Sequence, residues 1–364
     1  MKTRNALIGT GILFVCVLSL CCVAGIGYIF YSTLNTNKAH TSITNVSTST
    51  PFVFSPPPAL IPPTPTPAYC PDKMAAIIQD NQGSTYGPDN SGGGSNSSDS
   101  SPDMTTLVTY QVNGDQISDP SYEKVSKSLK RDEQNTASQE QAWQFFTALI
   151  PFQDRQMVSE YEVFTDGPGN VLAAVEQSDN DPDKWMVEID VEDVQDKNEL
   201  AFTLVHEDGH LLTLNSQQVP PDIKVFNDPN NDTLYNQEAA ACPTYFTDEG
   251  CSKPNSYINT FYDRFWTPIA SEWQKIDAHS NDSDPTEYYN MLYAFYQKHS
   301  NQFVDDYATT DPSEDMAETF AYFVYSPKPA GDTIRDQKIL FFYGYPELIQ
   351  ARDQILNNTC AAMQ

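Results

Sequence analysis

The sequence predicts an α+β fold for residues 104–364 of a 364-residue chain, on three observations. A helical apolar pattern at residues 138–149 stops before Pro151. Three runs rich in β-branched and aromatic residues follow, separated by turn-forming Asp, Gly, Pro and Asn. The rest of the chain returns to helical periodicity. The runs that predict strands are residues 157–164, 171–176 and 185–191.

The helix after these strands is predicted at residues 197–217, because its apolar residues recur at helical spacing. A polar stripe on the same segment indicates that one edge of this helix faces a wet cleft. Later helices are predicted at residues 256–276, 287–299, 312–325 and 346–356.

An apolar run at residues 6–31, after Lys2 and Arg4, is long enough to cross a bilayer as a helix. The alternative is a cleaved signal peptide, whose apolar region is normally shorter. The basic residues ahead of the run predict a cytoplasmic amino terminus and an extracellular remainder. We therefore expect a single-pass cell-membrane protein with a transmembrane signal anchor at residues 1–31.

Two stretches of biased composition follow the apolar run. Residues 32–67 are rich in Ser, Thr and Pro and cannot bury a core, which predicts a semi-rigid stalk. Residues 68–103 hold a short segment with Cys70 and then a Gly- and Ser-rich stretch typical of a linker. The folded domain is therefore expected at residues 104–364.

Four cysteines lie outside the apolar run: Cys70, Cys242, Cys251 and Cys360. An even number in an exported chain predicts disulfides, and three pairings are possible. The short separation of Cys242 and Cys251 favours that pair, which leaves Cys70 to bond with Cys360.

The formal net charge of −29 argues against binding to nucleic acid or to an anionic lipid surface, because both need basic patches. An acidic surface keeps an exported protein soluble. The extracellular domain is expected to be monomeric.

The segment His206-Glu207-Asp208-Gly209-His210 has the HExxH pattern of zinc sites. Residues four apart lie on the same helix face, so both imidazoles can bind one metal ion while Glu207 lies beside it. Two histidines can also share a helix without any metal. The chain has only 5 histidines, however, which makes the pattern rare by chance.

A catalytic zinc ion usually has three protein ligands, so one more must come from elsewhere. Pro312 suits the first position of a helix, which places Glu314 and Glu318 one turn apart on one face. One of them can bind the metal while the other accepts a hydrogen bond from a ligating imidazole. We assign Glu314 as the ligand and Glu318 as the hydrogen-bond partner.

Other assignments stay open on the residues alone. Asp311 and Glu314 also fit a capping box at the start of a helix, which needs no metal. Glu318 would then be the ligand, with Glu238 and Glu272 as further alternatives.

The HExGH segment, followed by Tyr307, by Glu314 and by Ala317-Glu318, resembles the zincin domain of lethal-factor-type toxins and Pro-Pro endopeptidases, within the gluzincins. The resemblance implies Glu314 as third ligand and Tyr307 as a phenol near the reacting carbonyl. It also implies a small mixed sheet packed on the active-site helix, with a helical C-terminal part. The separation of His210 and Glu314 is longer than this family leads us to expect, so substrate preference is not transferred.

Together these residues predict a membrane-anchored extracellular zinc-dependent endopeptidase, with Zn²⁺ as cofactor and a peptide or protein as substrate. Zn²⁺ makes its bound water a nucleophile at neutral pH, and Glu207 is predicted to take the proton and return it to the leaving amine. The substrate is expected to add to strand 185–191 as an edge strand. The alternatives are a catalytically inactive zincin-fold surface binding or sensor domain, and a zinc hydrolase of a non-peptide amide.

Overall fold

A five-stranded mixed sheet precedes most of the helices along the chain. The computed structural model describes residues 70–83, 85, 104–167, 171–280 and 285–364, which belong to one compact unit. The strands are β1 Thr105–Asn113, β2 Gln116–Tyr122, β3 Val158–Thr165, β4 Ala173–Gln177 and β5 Trp185–Asp190.

The strand order in the sheet is β2-β1-β3-β5-β4. β3 and β5 run parallel, and the other neighbouring pairs are antiparallel. β5 lies between β3 and β4, so the expectation that a substrate adds to residues 185–191 is wrong, because both edges of that strand already carry ladder hydrogen bonds. Among the described strands, the edge on this side of the sheet belongs to β4.

Twelve α-helices are present in the part of the chain that the structure describes. They are α1 Pro71–Asp80, α2 Lys130–Glu133, α3 Thr136–Leu149, α4 Lys197–Leu214, α5 Ile223–Asn227, α6 Asp232–Ala241, α7 Tyr257–Phe261, α8 Ala270–Asp277, α9 Thr286–Lys298, α10 Pro312–Tyr325, α11 Ile334–Phe342 and α12 Pro346–Ala362. A 3₁₀ turn at Tyr307–Thr309 precedes α10.

The structure confirms the α+β class, the three predicted strands and most of the predicted helices. β1 and β2 have no counterpart in the sequence prediction. β2 contains Pro120 and is exposed along most of its length, so it lacks the alternation of a half-buried strand. The helix predicted at residues 256–276 is interrupted. A π-helical turn at Tyr262–Trp266 follows α7, and α8 begins after Pro268, which has no N–H to continue the hydrogen bonding.

α1 packs into the same core as α4 and α10, through buried Met74 and Ile77. A disulfide between Cys70 and Cys360 joins the residue before α1 to α12, with Cα atoms 5.7 Å apart. Cys242 and Cys251 form the other disulfide, with Cα atoms 5.6 Å apart. Both predicted pairs are therefore confirmed.

Of the helices in the described residues, none combines the length and the apolar character needed to cross a bilayer. The predicted span at residues 1–31, the predicted stalk at residues 32–67 and most of the predicted linker lie outside the described residues.

Candidate metal centre

Two packed helices, α4 and α10, carry the candidate ligands. Asp196 caps α4 and Asp311 caps α10, each accepting hydrogen bonds from two backbone N–H groups of the first turn. Pro312 is the first residue of α10, as its place in the sequence predicts. The local signals at the start of each helix therefore set which residues share a face.

Gly209 lets the two helices approach closely at the level of the site. A Cβ atom added at Gly209 would lie 3.0 Å from the Cα of Ala317. A larger residue would push α10 away from α4. Because of this close approach, Glu314 and Glu318 reach the histidines of α4.

Three ligand-type atoms converge between the helices. Nε2 of His206 lies 3.0 Å from Nε2 of His210. Oε2 of Glu314 lies 3.1 Å from the first of these nitrogens and 3.5 Å from the second. All three side chains are buried. They are the residues assigned as ligands from the sequence.

This group fits a metal ion better than it fits hydrogen bonding alone. A single proton can satisfy one of the three contacts, whereas a cation satisfies all of them. Ligand atoms bound to a tetrahedral zinc ion lie roughly 3.3–3.6 Å apart, which is close to the separations here. Oε2 of Glu314 is buried beside the imidazoles and has no hydrogen bond of normal geometry. The group can therefore hold a metal ion.

Glu318 contacts the other nitrogen of the His206 ring. Its Oε1 lies 2.8 Å from Nδ1 of His206. A proton on Nδ1 leaves the Nε2 lone pair facing the centre, which is the tautomer that a metal ligand needs. Oε1 of Glu318 therefore lies within reach of a proton on this nitrogen. The alternative ligands Glu238 and Glu272 form ion pairs elsewhere, with lysines.

The charge within the group follows from burial and from the contacts between carboxylate and imidazole. Burial acts to raise the pKa of Glu314, but His210 and His206 hold that pKa below its usual range. Burial acts to lower the pKa of His206, but Glu318 and Glu314 raise it well above its usual value. Protons on the imidazoles thus balance the Glu314 carboxylate, and a metal ion that binds here takes their place.

Glu207 lines the cleft beside the ligand group and is 6% exposed. The backbone of Val175 in β4 lies near its carboxylate and acts to lower its pKa. Burial raises the pKa of Glu207 to about 7, although His206 and His210 act to lower it. A carboxyl group of this kind can accept and release a proton near neutral pH.

Tyr307 lines the same cleft. It begins the 3₁₀ turn before α10, and its ring centroid is 6.0 Å from that of His206. The structure thus brings all the residues assigned from the sequence to one cleft or to its immediate support.

Several residues that no sequence pattern indicates also line the cleft. Most are apolar and come from β4 and its neighbours. The charged one is Glu249, which no local pattern indicates because its position depends on how the Cys242–Cys251 segment folds back. The lining residues without a sequence prediction are Val171, Ala173, Ala174, Val175, Trp185, Leu214 and Glu249.

Comparisons of the chain with models of protein families, with curated proteins and with solved structures found no match. Function is therefore inferred from the residues of the site and their geometry.

Proposed function

We propose that this chain is a zinc-dependent endopeptidase with a zincin-type site. The observation that carries the proposal is the convergence of His206, His210 and Glu314 beside a buried Glu207. Two imidazoles and one carboxylate are a ligand set of catalytic zinc, which keeps one coordination position open. Nitrogen donors also favour zinc over magnesium and calcium, which prefer oxygen.

Zn²⁺, when bound, supplies a nucleophilic water and polarises the substrate carbonyl. Glu207 lies beside the ligand group, where it can accept a proton from water and pass it to the leaving amine. Tyr307 lines the same cleft, and we propose that its hydroxyl donates a hydrogen bond to the oxygen of the reacting carbonyl. Glu318 keeps His206 in the required tautomer.

A peptide substrate is proposed to bind along the open edge of β4. The backbone of Leu172 and Ser178 bonds towards β5. Backbone groups alternate in direction along a strand, so the odd-numbered residues of β4 present theirs to the open edge. Val175, whose backbone lies near the Glu207 carboxylate, belongs to this set. An extended peptide can add here as a further strand and lie across the cleft.

We propose that residues 1–31 anchor the protein in the cell membrane and that the folded domain lies outside. The two disulfides support an oxidising compartment, because cytosolic thiols are kept reduced. The net charge of −29 supports a peptide or protein rather than a nucleic acid as partner.

The test is Glu207→Gln in the full-length protein, assayed for zinc by atomic absorption and for hydrolysis with a quenched fluorescent peptide library. We expect the variant to keep zinc and to lose hydrolysis by about 10²- to 10⁴-fold, the range for a general base. Glu199→Gln, near the start of the same helix, is the matched control and should keep both.

Two results would contradict parts of this proposal. Hydrolysis by Glu207→Gln at the wild-type rate would remove Glu207 from the reaction. Zinc binding by the wild-type protein without hydrolysis of any peptide would instead favour an inactive binding domain.

A further inference from the structure

The segment Cys242–Cys251, which we call the cysteine hairpin, forms a closed unit beside the metal centre. A disulfide joins its two ends. Thr247 and Gly250 exchange backbone hydrogen bonds, which places Asp248 and Glu249 in the turn between them. The backbone of this turn is therefore held in one conformation.

The cysteine hairpin is fixed against the chain that follows α4. The N–H of Asp222 donates a 2.7 Å hydrogen bond to the C=O of Glu249. Gly250 lies so close to this segment that an added Cβ would be 2.5 Å from the carbonyl oxygen of Pro220. Because α4 carries both histidines, these contacts also fix Glu249 relative to the metal centre.

The side chain of Glu249 lines the cleft together with His210 and is 7% exposed. Oγ1 of Thr247 donates a 2.7 Å hydrogen bond to Oε2 of Glu249. Burial raises the pKa of Glu249, while Thr247 and His210 act against that rise. A carboxylate offers about four acceptor positions, so a cationic ligand can bind it beside the Thr247 hydroxyl.

The charge of the cleft favours a positive ligand. Among the described residues that line it there is no Lys or Arg, and the carboxylates are Glu207, Glu249 and Glu314. Glu314 belongs to the metal group and Glu207 is the proposed general base, which leaves Glu249 for the substrate. A buried carboxylate without a cation is costly. A cationic substrate group offsets this cost, whereas an acidic one is repelled.

We propose that Glu249 is a specificity-determining residue that binds the basic side chain, Lys or Arg, of a peptide held in the cleft. The inference rests on the proposed function, since the peptide is taken to be the substrate. An α-ammonium group at the amino terminus of a peptide carries the same charge, and the experiment separates the two sources.

The probes are peptides of one common sequence with an acetylated amino terminus. Each carries Lys, norleucine or Glu at a single position around the cleavage site. A norleucine peptide with a free amino terminus completes the set. Binding is measured by fluorescence anisotropy with the full-length Glu207→Gln protein, which needs no turnover. Hydrolysis is measured with Glu207 intact.

We expect the peptide with Lys and an acetylated amino terminus to bind, and to be cleaved, about tenfold better than the matching norleucine peptide. This is the size expected for a charge-assisted hydrogen bond. Glu249→Gln should reduce this preference to near unity. Asp248→Asn changes the neighbouring carboxylate, which does not line the cleft, and should keep the preference. Unchanged zinc content of each variant shows that the metal centre still forms.

The possible outcomes separate this inference from the proposed function. Equal binding of the Lys and norleucine peptides, or a preference that survives Glu249→Gln, would overturn the inference even if hydrolysis continues. A preference confined to the free amino terminus would overturn the assignment to a side chain. Binding selective for Lys without any hydrolysis would support the inference and contradict the proposed function alone.

Discussion

Two groups of side chains in the described residues hold ligand-type atoms within 4.8 Å of one another. The first is the pair of imidazoles with the Glu314 carboxylate between α4 and α10. The second, which we call the aspartate group, consists of Asp166, Asp190 and Asp193 near the end of β5. Distance alone does not separate the two groups. The difference lies in what their oxygen and nitrogen atoms already bind.

In the aspartate group, backbone N–H groups already bind both carboxylate oxygens of Asp190 and one of Asp166. Asp190 accepts hydrogen bonds from the N–H groups of Asp166 and Glu192, and Asp166 accepts one from Val171. These bonds tie the end of β5 to the segment after β3. Between α4 and α10, the helices satisfy most of their own backbone groups, so the side-chain atoms can bind a cation. Close spacing indicates a metal site only where the backbone does not already bind the ligand atoms.

The largest expected effect is on the zinc content of the protein, and it distinguishes the two groups. His210→Ala should remove the bound zinc, because too few ligands remain to hold the ion. Asp190→Asn should leave the zinc content unchanged. The zinc content of each dialysed protein, measured by plasma mass spectrometry, checks both statements. Loss of zinc from Asp190→Asn together with its retention in His210→Ala would assign the metal to the aspartate group.

A smaller effect on zinc affinity is expected when Glu318, which contacts the His206 imidazole, is replaced. Glu318→Ala should weaken zinc binding about 10- to 100-fold, which is typical of losing the partner of a ligating histidine. Glu318→Gln keeps an acceptor oxygen for Nδ1 of His206 and should lose less. Competition with a fluorescent zinc chelator gives the Kd. Equal affinities for wild type and Glu318→Ala would show that this contact does not orient the ring.

The aspartate group predicts a pH dependence of stability. Burial raises the pKa of Asp190 from 3.8 to about 7, although hydrogen bonds from Glu192 and Asp166 act to lower it. Between these values the folded state keeps a proton that the unfolded state releases. The contribution of Asp190 to stability is therefore greatest at low pH, and it falls by up to about 1.4 kcal/mol per pH unit as the pH rises towards 7.

Asp190→Asn removes this contribution, so urea unfolding of wild type and variant between pH 5 and pH 7 provides the test. The variant should gain stability relative to wild type as the pH rises. A constant difference between the two proteins across this range would mean that Asp190 keeps its ordinary pKa.

The smallest effect is expected from the contact between the helices. Gly209→Ala should weaken zinc binding by a few-fold, because the added methyl group meets the backbone of Ala317 and moves α10 away. The same change also favours the helix by about 1 kcal/mol, so the thermal stability of the zinc-free protein is measured alongside the Kd. Higher stability with an unchanged Kd would show that the helices adapt without disturbing the ligands.

The three residues that can hold a metal ion could be identified in the sequence because the signals that bring them together are local. His206 and His210 share a helix face by their spacing, and Pro312 with its cap at Asp311 sets the register of Glu314. The sequence also shows that Gly209 lies between the two histidines, but it does not show how close Gly209 comes to α10.

The parts that could not be predicted depend on contacts between residues far apart in the chain. Residues 185–191 have the same composition whether they form an edge strand or an inner strand, and only the pairing with β3 and β4 decides between them. Glu249 reaches the cleft because the segment around it docks against Pro220 and Asp222. Neither its residue type nor its spacing indicates that position.

The bond between Cys70 and Cys360 closes almost the whole described chain into a covalent ring. A protease that cuts this ring at one point between the two cysteines cannot release a fragment, so the cut protein should migrate at full size in non-reducing electrophoresis and as two pieces after reduction. Residues 1–69 join the ring at Cys70. As long as the disulfide is intact, both pieces of the cut protein would therefore stay attached to whatever holds the amino terminus.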